Sequence, residues 1–248
     1  MLAYRSGVFP MSDHRDDPEI FWVEPRQRAI LPLNGFHLAK SLARTLRRGH
    51  FTVTCNRAFS QVMQYCAAPR RDDGGESWIS HRIAASYQHL HELGHAHSIE
   101  CWRDGQLVGG LYGVGFDRVF CGESMFSHVP DASKAALASL VAALRRGHAE
   151  LLDCQFMTSH LASLGAVEIS QKRYLALLQD AQRRYSGSDS AADEAARTGP
   201  GGAAEAAEAA GEGEALALPA AFAALLEDAA ASSSSPGNFI AQSLTHTS

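Results

Sequence analysis

Three short stretches set chemically capable side chains among apolar ones. They are Ser77-Trp78-Ile79, then Phe120-Cys121-Gly122-Glu123-Ser124-Met125-Phe126-Ser127, then Leu151-Leu152-Asp153-Cys154-Gln155, which leads into His160–Ala166. On an extended backbone side chains alternate, so Asp153 and Gln155 point to one side and Cys154 to the other. A carboxylate and an amide would thus converge at the C-terminal end of a buried strand, where α/β sheets commonly bind ligands. The same carboxylate could instead cap a following helix, and the residues alone leave both readings open.

Two further motifs have catalytic spacing but the wrong surroundings. His91-Glu92-Leu93-Gly94-His95 matches H-E-x-x-H, which in zinc peptidases places two imidazoles one turn apart on a continuous helix. Gly94 costs about 1 kcal/mol in a helix interior relative to Ala. Beyond it, Ala96-His97-Ser98-Ile99-Glu100 alternates as a strand. A helix ending at Gly94 carries His95 off the face of His91, leaving histidines near a negative helix end. A zinc-dependent hydrolase using His91 and His95 is therefore the competing enzyme reading. Gly110-Leu111-Tyr112-Gly113-Val114-Gly115 has the glycine spacing of an acyl-CoA N-acyltransferase pyrophosphate loop. Such a loop should open a helix, whereas this one runs into strand-like Val119–Phe126. Close packing or a bend in a hairpin strand is expected there.

The elements that must position these residues read as an α/β chain with a mixed sheet. Residues 1–50 look like a small, loop-rich N-terminal domain with a strand-like Ile20–Val23 and a helix from His37 to Arg48. Lys40, Arg44, Arg47 and Arg48 share one face of that helix, either as a solvated basic face or as a phosphate-contacting surface. Residues 51–185 form a second domain. It carries a strand at Phe51–Thr54, helices at Ala58–Cys66 and His81–Leu93, a polar loop at Arg70–Ser77, and a hairpin turning at Asp104-Gly105. A crossover helix at Asp131–Arg146 then delivers a buried strand at Leu151-Leu152, and a last helix covers Gln171–Arg184.

From Ser186 the composition collapses into Ala, Gly, Ser and Glu, so residues 186–248 are expected to be a disordered tail, with at most a transient helix at Leu216–Leu226. The chain's 22 basic and 27 acidic residues give a net charge of −5, but the tail holds nine of the acids and one base, leaving 21 basic and 18 acidic residues before it. A mildly basic folded part permits an RNA partner. Five scattered cysteines without a C-x-x-C pair argue against a disulfide framework or a cysteine-rich zinc site. No apolar run approaches the roughly 18–20 residues needed to cross a bilayer, and the first residues lack a secretory signal's apolar core. The reading is a cytoplasmic protein with no membrane partner.

The ordered motifs together have a family resemblance. Gly122-Glu123-Ser124-Met125-Phe126-Ser127, Asp153-Cys154-Gln155, the run His89–Glu100, Ser163-Leu164-Gly165-Ala166, Ala3–Pro10 and the stretch from Trp22 to Arg28 are similar to those of the leucyl/phenylalanyl-tRNA–protein transferases. The resemblance implies a C-terminal domain similar to the acyl-CoA N-acyltransferase fold. It implies transfer of Leu or Phe, less readily Met, from aminoacyl-tRNA to proteins beginning with Arg or Lys, marking them for N-degron degradation. It implies no metal and no cofactor. Asp153 and Gln155 would be the catalytic pair, with Asp153 polarising Gln155 and Glu123 in the same network. Trp22 and Trp78 would hold the terminal adenosine, since aromatic faces suit an unpaired base. Leu111, Met125, Leu137, Leu140 and Leu152 would line the amino-acid pocket, although ordinary core explains them as well. The family usually extends some tens of residues before the segment at Ala3, so this chain is expected to start late. Met11 and Thr158 replace a common Trp and Asn, and the acidic tail is expected to have no family counterpart. The non-enzymatic alternative is an aminoacyl-tRNA-binding module.

Overall fold

The structure, a computed structural model, describes residues 1–68, 77–186 and 216–245. Short β-branched and aromatic runs give nine strands among these residues. Strands β1 (Phe9–Met11) and β2 (Phe21–Val23) form an antiparallel ribbon by themselves. The others are β3 (Gln27–Ile30), β4 (Thr52–Cys55), β5 (Ala96–Arg103), β6 (Gln106–Phe116), β7 (Val119–Ser127), β8 (Leu151–Gln155) and β9 (Val167–Ser170). They build one sheet in the order β4-β5-β6-β7-β8-β3-β9. Asp104 and Gly105 both take positive φ (52° and 74°), as a two-residue hairpin turn between right-twisted strands requires.

All neighbouring pairs are antiparallel except β7 and β8. That parallel pair needs a crossover, supplied by α5 (Ala132–Arg146). Alanines on α5 let it lie close to the sheet: a side chain added at Gly109 would meet the Ala132 Cβ at 2.5 Å. The other strand glycines act in the same way. A Cβ at Gly113 would strike the Cys121 carbonyl oxygen, and one at Gly110 would lie 2.8 Å from that of Ile99. The glycine run is thus sheet interior, as expected from the strand that follows it.

The sheet opens at its centre. β7 meets β8 only through Val119–Leu151, Phe120–Leu152 and Cys121–Asp153. Beyond that point β7 stays with β6, while β8 turns off at Gln155 (φ 62°) and pairs with β3. The opposite face is covered by α3 (Phe59–Cys66) and α4 (His81–Glu92), with Tyr87, Tyr112 and Phe126 in its core.

Two expectations are corrected. The boundary at residue 50 does not hold as a domain division, because β3 is an interior strand of the main sheet and α2 (Lys40–Arg47) packs against α5. The tail reading fails over 216–245. Here α8 (Leu218–Ala231) and α9 (Pro236–Thr245) cover α5 and α2, burying Leu218, Phe222, Leu225, Ile240 and Leu244 in the same core as α5. Arg145 ties α9 down by donating to the carbonyls of Leu33 (2.7 Å) and Ser243 (2.9 Å). The physical cause is that α5 is apolar nearly all round, which only a helix covered on both sides can be. Average composition hid the few large side chains that meet it. The polar loop expected at 70–77 and the tail between 187 and 215 lie almost wholly outside the described residues.

Candidate active site

A cavity of about 1100 Å³ occupies the opening between β7 and β8. The face toward α5 is apolar, with Leu111, Met125, Leu137, Leu140 and Leu152 lining it. All five expected pocket residues therefore meet at one cavity. The four leucines are at most 3% exposed, so they are core and cavity wall at once. The face toward α3 and α4 carries Trp78, Tyr65, Tyr112, Phe126 and Glu123, and Gln155 sits at the edge between the two.

Asp153 and Gln155 do not converge. Asp153 is fully buried and absent from the cavity wall. Its carboxylate takes two hydrogen bonds from Arg28, Nε to Oδ1 at 2.8 Å and Nη2 to Oδ2 at 2.5 Å, with the Tyr174 hydroxyl donating at 3.0 Å. Arg28 is itself only 2% exposed, sandwiched between the rings of Phe9 and Tyr174. Burial works against its charge, but Asp153 outweighs that and raises its pKa. The alternation argument failed because Gln155 takes a left-handed φ at the strand end, which re-aims its side chain. Asp153 reaches Gln155 only through the backbone, accepting its N–H at 2.9 Å. The expected polarisation of the Gln155 side chain by Asp153 is corrected accordingly.

The partner of the Gln155 side chain is Glu123, whose Oε2 accepts from Nε2 at 2.8 Å. The Tyr87 hydroxyl donates to the same oxygen (2.7 Å) and the Tyr4 hydroxyl to Oε1 (2.8 Å). Burial pushes the Glu123 carboxyl up to about 7, against the pull of these three hydrogen bonds, and nearby Asp153 adds to the rise. With its nitrogen committed to Glu123, the Gln155 amide presents its oxygen as an acceptor. A bulge in the β6–β7 register between Tyr112 and Gly113 lies beside Glu123 on the partner strand. Tyr112 lies in the same wall, and its buried hydroxyl has no hydrogen-bond partner among the described residues.

The remaining candidates scatter. Trp78 lines the cavity, its carbonyl held by the Ser12 hydroxyl at 2.7 Å. Trp22 stands on β2, 58% exposed and outside the cavity wall. Lys40, Arg44, Arg47 and Arg48 are exposed on or just beyond α2, without ion pairs among the described residues. The helix carrying His91 stops at Glu92, and Gly94 takes φ 82°. His91 is stacked 4.1 Å from Phe59 and bonded to the Ala96 carbonyl at 2.8 Å, and no continuous helix joins it to His95. Among the described residues no group of three His, Cys, Asp or Glu could hold a metal, and no helix is long and apolar enough to cross a membrane.

Sequence reasoning missed Arg28, Tyr174, Tyr4 and Tyr87. Arg28 and Tyr4 did stand inside quoted motif stretches, but nothing in their local pattern marked them as buried.

Comparison with known sequences gives a consistent answer. Residues 30–179 match the profile described as leucyl/phenylalanyl-tRNA protein transferase, and residues 1–26 match that family's N-terminal domain. The protein of that name from Novosphingobium aromaticivorans is 67% identical over 251 aligned residues, covering 100% of this chain and 95% of the relative. The like-named protein of Zymomonas mobilis is 55% identical over 185 residues (75% of this chain, 69% of the relative), and that of Rhizorhabdus wittichii 56% over 180 (72% and 71%). The Novosphingobium alignment extends through the C-terminal segment, so the tail does have a counterpart.

Proposed function

Since the chain belongs to the leucyl/phenylalanyl-tRNA–protein transferase family, we propose that its cavity passes a leucyl or phenylalanyl group, less readily methionyl, from tRNA to acceptor proteins beginning with Arg or Lys. The aminoacyl ester is already activated, so the enzyme must position the reactants and supply an acceptor for the amine's hydrogen. The observation that carries this reading is the Gln155 amide, which lines the cavity and has its nitrogen committed to Glu123, leaving its oxygen as the acceptor. That oxygen accepts a hydrogen bond from the neutral α-amine and aims its lone pair at the ester carbonyl carbon. The C–N bond forms, the ester C–O bond breaks, and the proton lost by nitrogen ends on the departing ribose oxygen. An amide does not titrate near neutrality, so Gln155 orients the amine and does not act as a strong base.

Asp153 is a positioning residue in this reading: with Arg28 it fixes the backbone of Gln155. The leucines of the α5 face receive the amino-acid side chain. Trp78 in the wall and the exposed Trp22 supply faces for the terminal adenosine. Lys40, Arg44, Arg47 and Arg48 contact phosphates further along the tRNA. The reaction belongs to N-degron tagging in the cytoplasm. The test mixes the enzyme with Leu-tRNA and an Arg-starting peptide and follows deacylated tRNA together with the Leu-Arg product. Binding of charged tRNA with no product would leave the non-catalytic module as the better reading.

A further inference from the structure

The basic helix α2 is too short to hold its own direction. It has eight residues, Lys40–Arg47, and isolated helices below roughly 12–15 residues are marginal in water. Its aim must come from what its apolar face, Leu42, Ala43 and Leu46, packs against. Among the described residues α9 packs most broadly on α2, and α5 comes second. Ile240, Ala241 and Leu244 of α9 share one core cluster with Leu42 and Leu46. Gly237 lies against the last turn of α2: a Cβ there would strike the Leu46 carbonyl oxygen and stand 2.9 Å from its carbonyl carbon. Gly237 does not take a left-handed φ, so this glycine serves close approach and not a turn. Arg145 of α5, bonded to the carbonyls of Leu33 and Ser243, clamps the segment entering α2 and α9 to one guanidinium. The α9 sequence brings no charged side chain to the contact, and Lys40, Arg44, Arg47 and Arg48 stay exposed.

We propose that the C-terminal helices α8 and α9 form a cradle that sets the angle at which α2 presents its four cations to tRNA phosphates. The segment is then a positioning element for the RNA donor and not only a lid on the core. This rests on the transferase reading and on α2 facing the tRNA. The lever is geometric. Lys40 and Arg48 lie about 12 Å apart along the helix at 1.5 Å per residue. A tilt of about 20° about one end carries the other by about 4 Å, more than a phosphate contact near 3 Å tolerates.

The test uses the full chain and measures the Kd for Leu-tRNA across a range of salt, with kcat at saturating Leu-tRNA alongside. In Gly237→Ala the Kd at low salt should rise on the order of 3- to 10-fold, and the slope of log affinity against log salt should fall by about 1. The kcat should stay within about twofold of wild type, because the cavity is untouched. Leu244→Ala leaves a void beneath α9 and should act in the same direction, which keeps the inference testable if Gly237→Ala folds poorly. Leu244→Met, close in volume, should restore wild-type binding. In a protein already charge-reversed at Arg44 and Arg47, Gly237→Ala should change Kd by less than about twofold, since the contact it disturbs is gone. A mere lid predicts a lower Tm in both variants with Kd and salt slope unchanged. That result, or an undiminished effect of Gly237→Ala in the charge-reversed protein, would overturn the inference. An unchanged Kd on charge reversal alone would overturn it too, by taking α2 off the tRNA, while transfer to an Arg-starting peptide stood. Absence of that transfer in the wild type would instead remove the transferase reading.

Discussion

Replacing Asp153 by Asn should unfold the protein more readily before it teaches anything about chemistry. The exchange keeps the shape and removes one charge from a pair buried to 2% and 0% exposure. It leaves the Arg28 guanidinium with neutral partners alone: the Asn amide oxygen, the Gly7 carbonyl and the Tyr174 hydroxyl. Stranding one member of a buried ion pair costs about 3–5 kcal/mol, a large part of the roughly 5–15 kcal/mol that holds a domain together. In a chain of this size that lowers Tm by about 10 °C or more. Denaturant melts of Asp153→Asn, Arg28→Met and the double variant measure the effect. The double variant should recover a substantial part of the loss, because the stranded charge is gone. Single-turnover transfer, run well below the melting range, should follow the folded fraction in Asp153→Asn. Gln155→Ala should lose on the order of 10²-fold with its stability nearly intact. If Asp153→Asn kept wild-type stability within about 1 kcal/mol yet abolished transfer, the carboxylate would be acting on the substrate, and the positioning role argued from its bonds to Arg28 would be refuted.

Three further outcomes follow from the geometry. Burial raises the Glu123 carboxyl to about 7, so this group binds its proton more tightly when folded. Its contribution to stability is complete below the ordinary carboxylate range and is lost as pH rises through about 7, a change of about 3 kcal/mol. Subtracting the Glu123→Gln stability profile from that of the wild type should expose this slope, and parallel profiles would contradict it. Phe222 is 4% exposed where α8 meets α5, so Phe222→Ala should cost about 3–5 kcal/mol in a denaturant melt; a loss near zero would return α8 to the status of a loose tail. Charge reversal at Arg44 and Arg47 should raise the KM for aminoacyl-tRNA and lower the slope of log affinity against log salt by about 1–2, while an unchanged slope would make α2 a merely solvated face.

What could be read in advance follows from the range of the forces involved. The hairpin at Asp104-Gly105, the crossover helix with its parallel strand, and the stop of α4 before Gly94 are local events. They follow from backbone preferences within a few residues, and the structure has them. The five apolar cavity residues came from the family resemblance, because nothing local separates a leucine that walls a cavity from one that fills a core. Arg28 illustrates the limit. It sits 125 residues from its counter-charge, and no pattern around Gln27–Ile30 announces a strand inserted between two late ones. The tail fails for another reason. Its average composition is poor in large apolar residues, but six of them (Leu216, Leu218, Phe222, Leu225, Ile240 and Leu244) are buried. The sign that something covered α5 was the sequence of α5 itself.

Glu123 and Asp153 both stand within reach of Gln155, yet the fold treats the two carboxylates in opposite ways. Asp153 is given a full counter-charge, two donors on one guanidinium and a tyrosine hydroxyl, and by accepting the Gln155 N–H it fixes the backbone there. Glu123 is given only neutral donors, and burial leaves it titrating near neutrality. An anion beside the incoming amine would favour the ammonium, which has no lone pair and cannot attack. A group near neutrality holds the Gln155 amide in place while exerting less of that pull. Exchanging the roles, by placing the guanidinium against Glu123, would hold the amide as well but would set a fixed positive charge in the cavity wall. The described cavity lining contains no Lys or Arg, and the one buried cation of the network is kept behind the sheet with Asp153. A Gln155 amide held in place without a fixed charge at the cavity thus follows from the division of charge across β8.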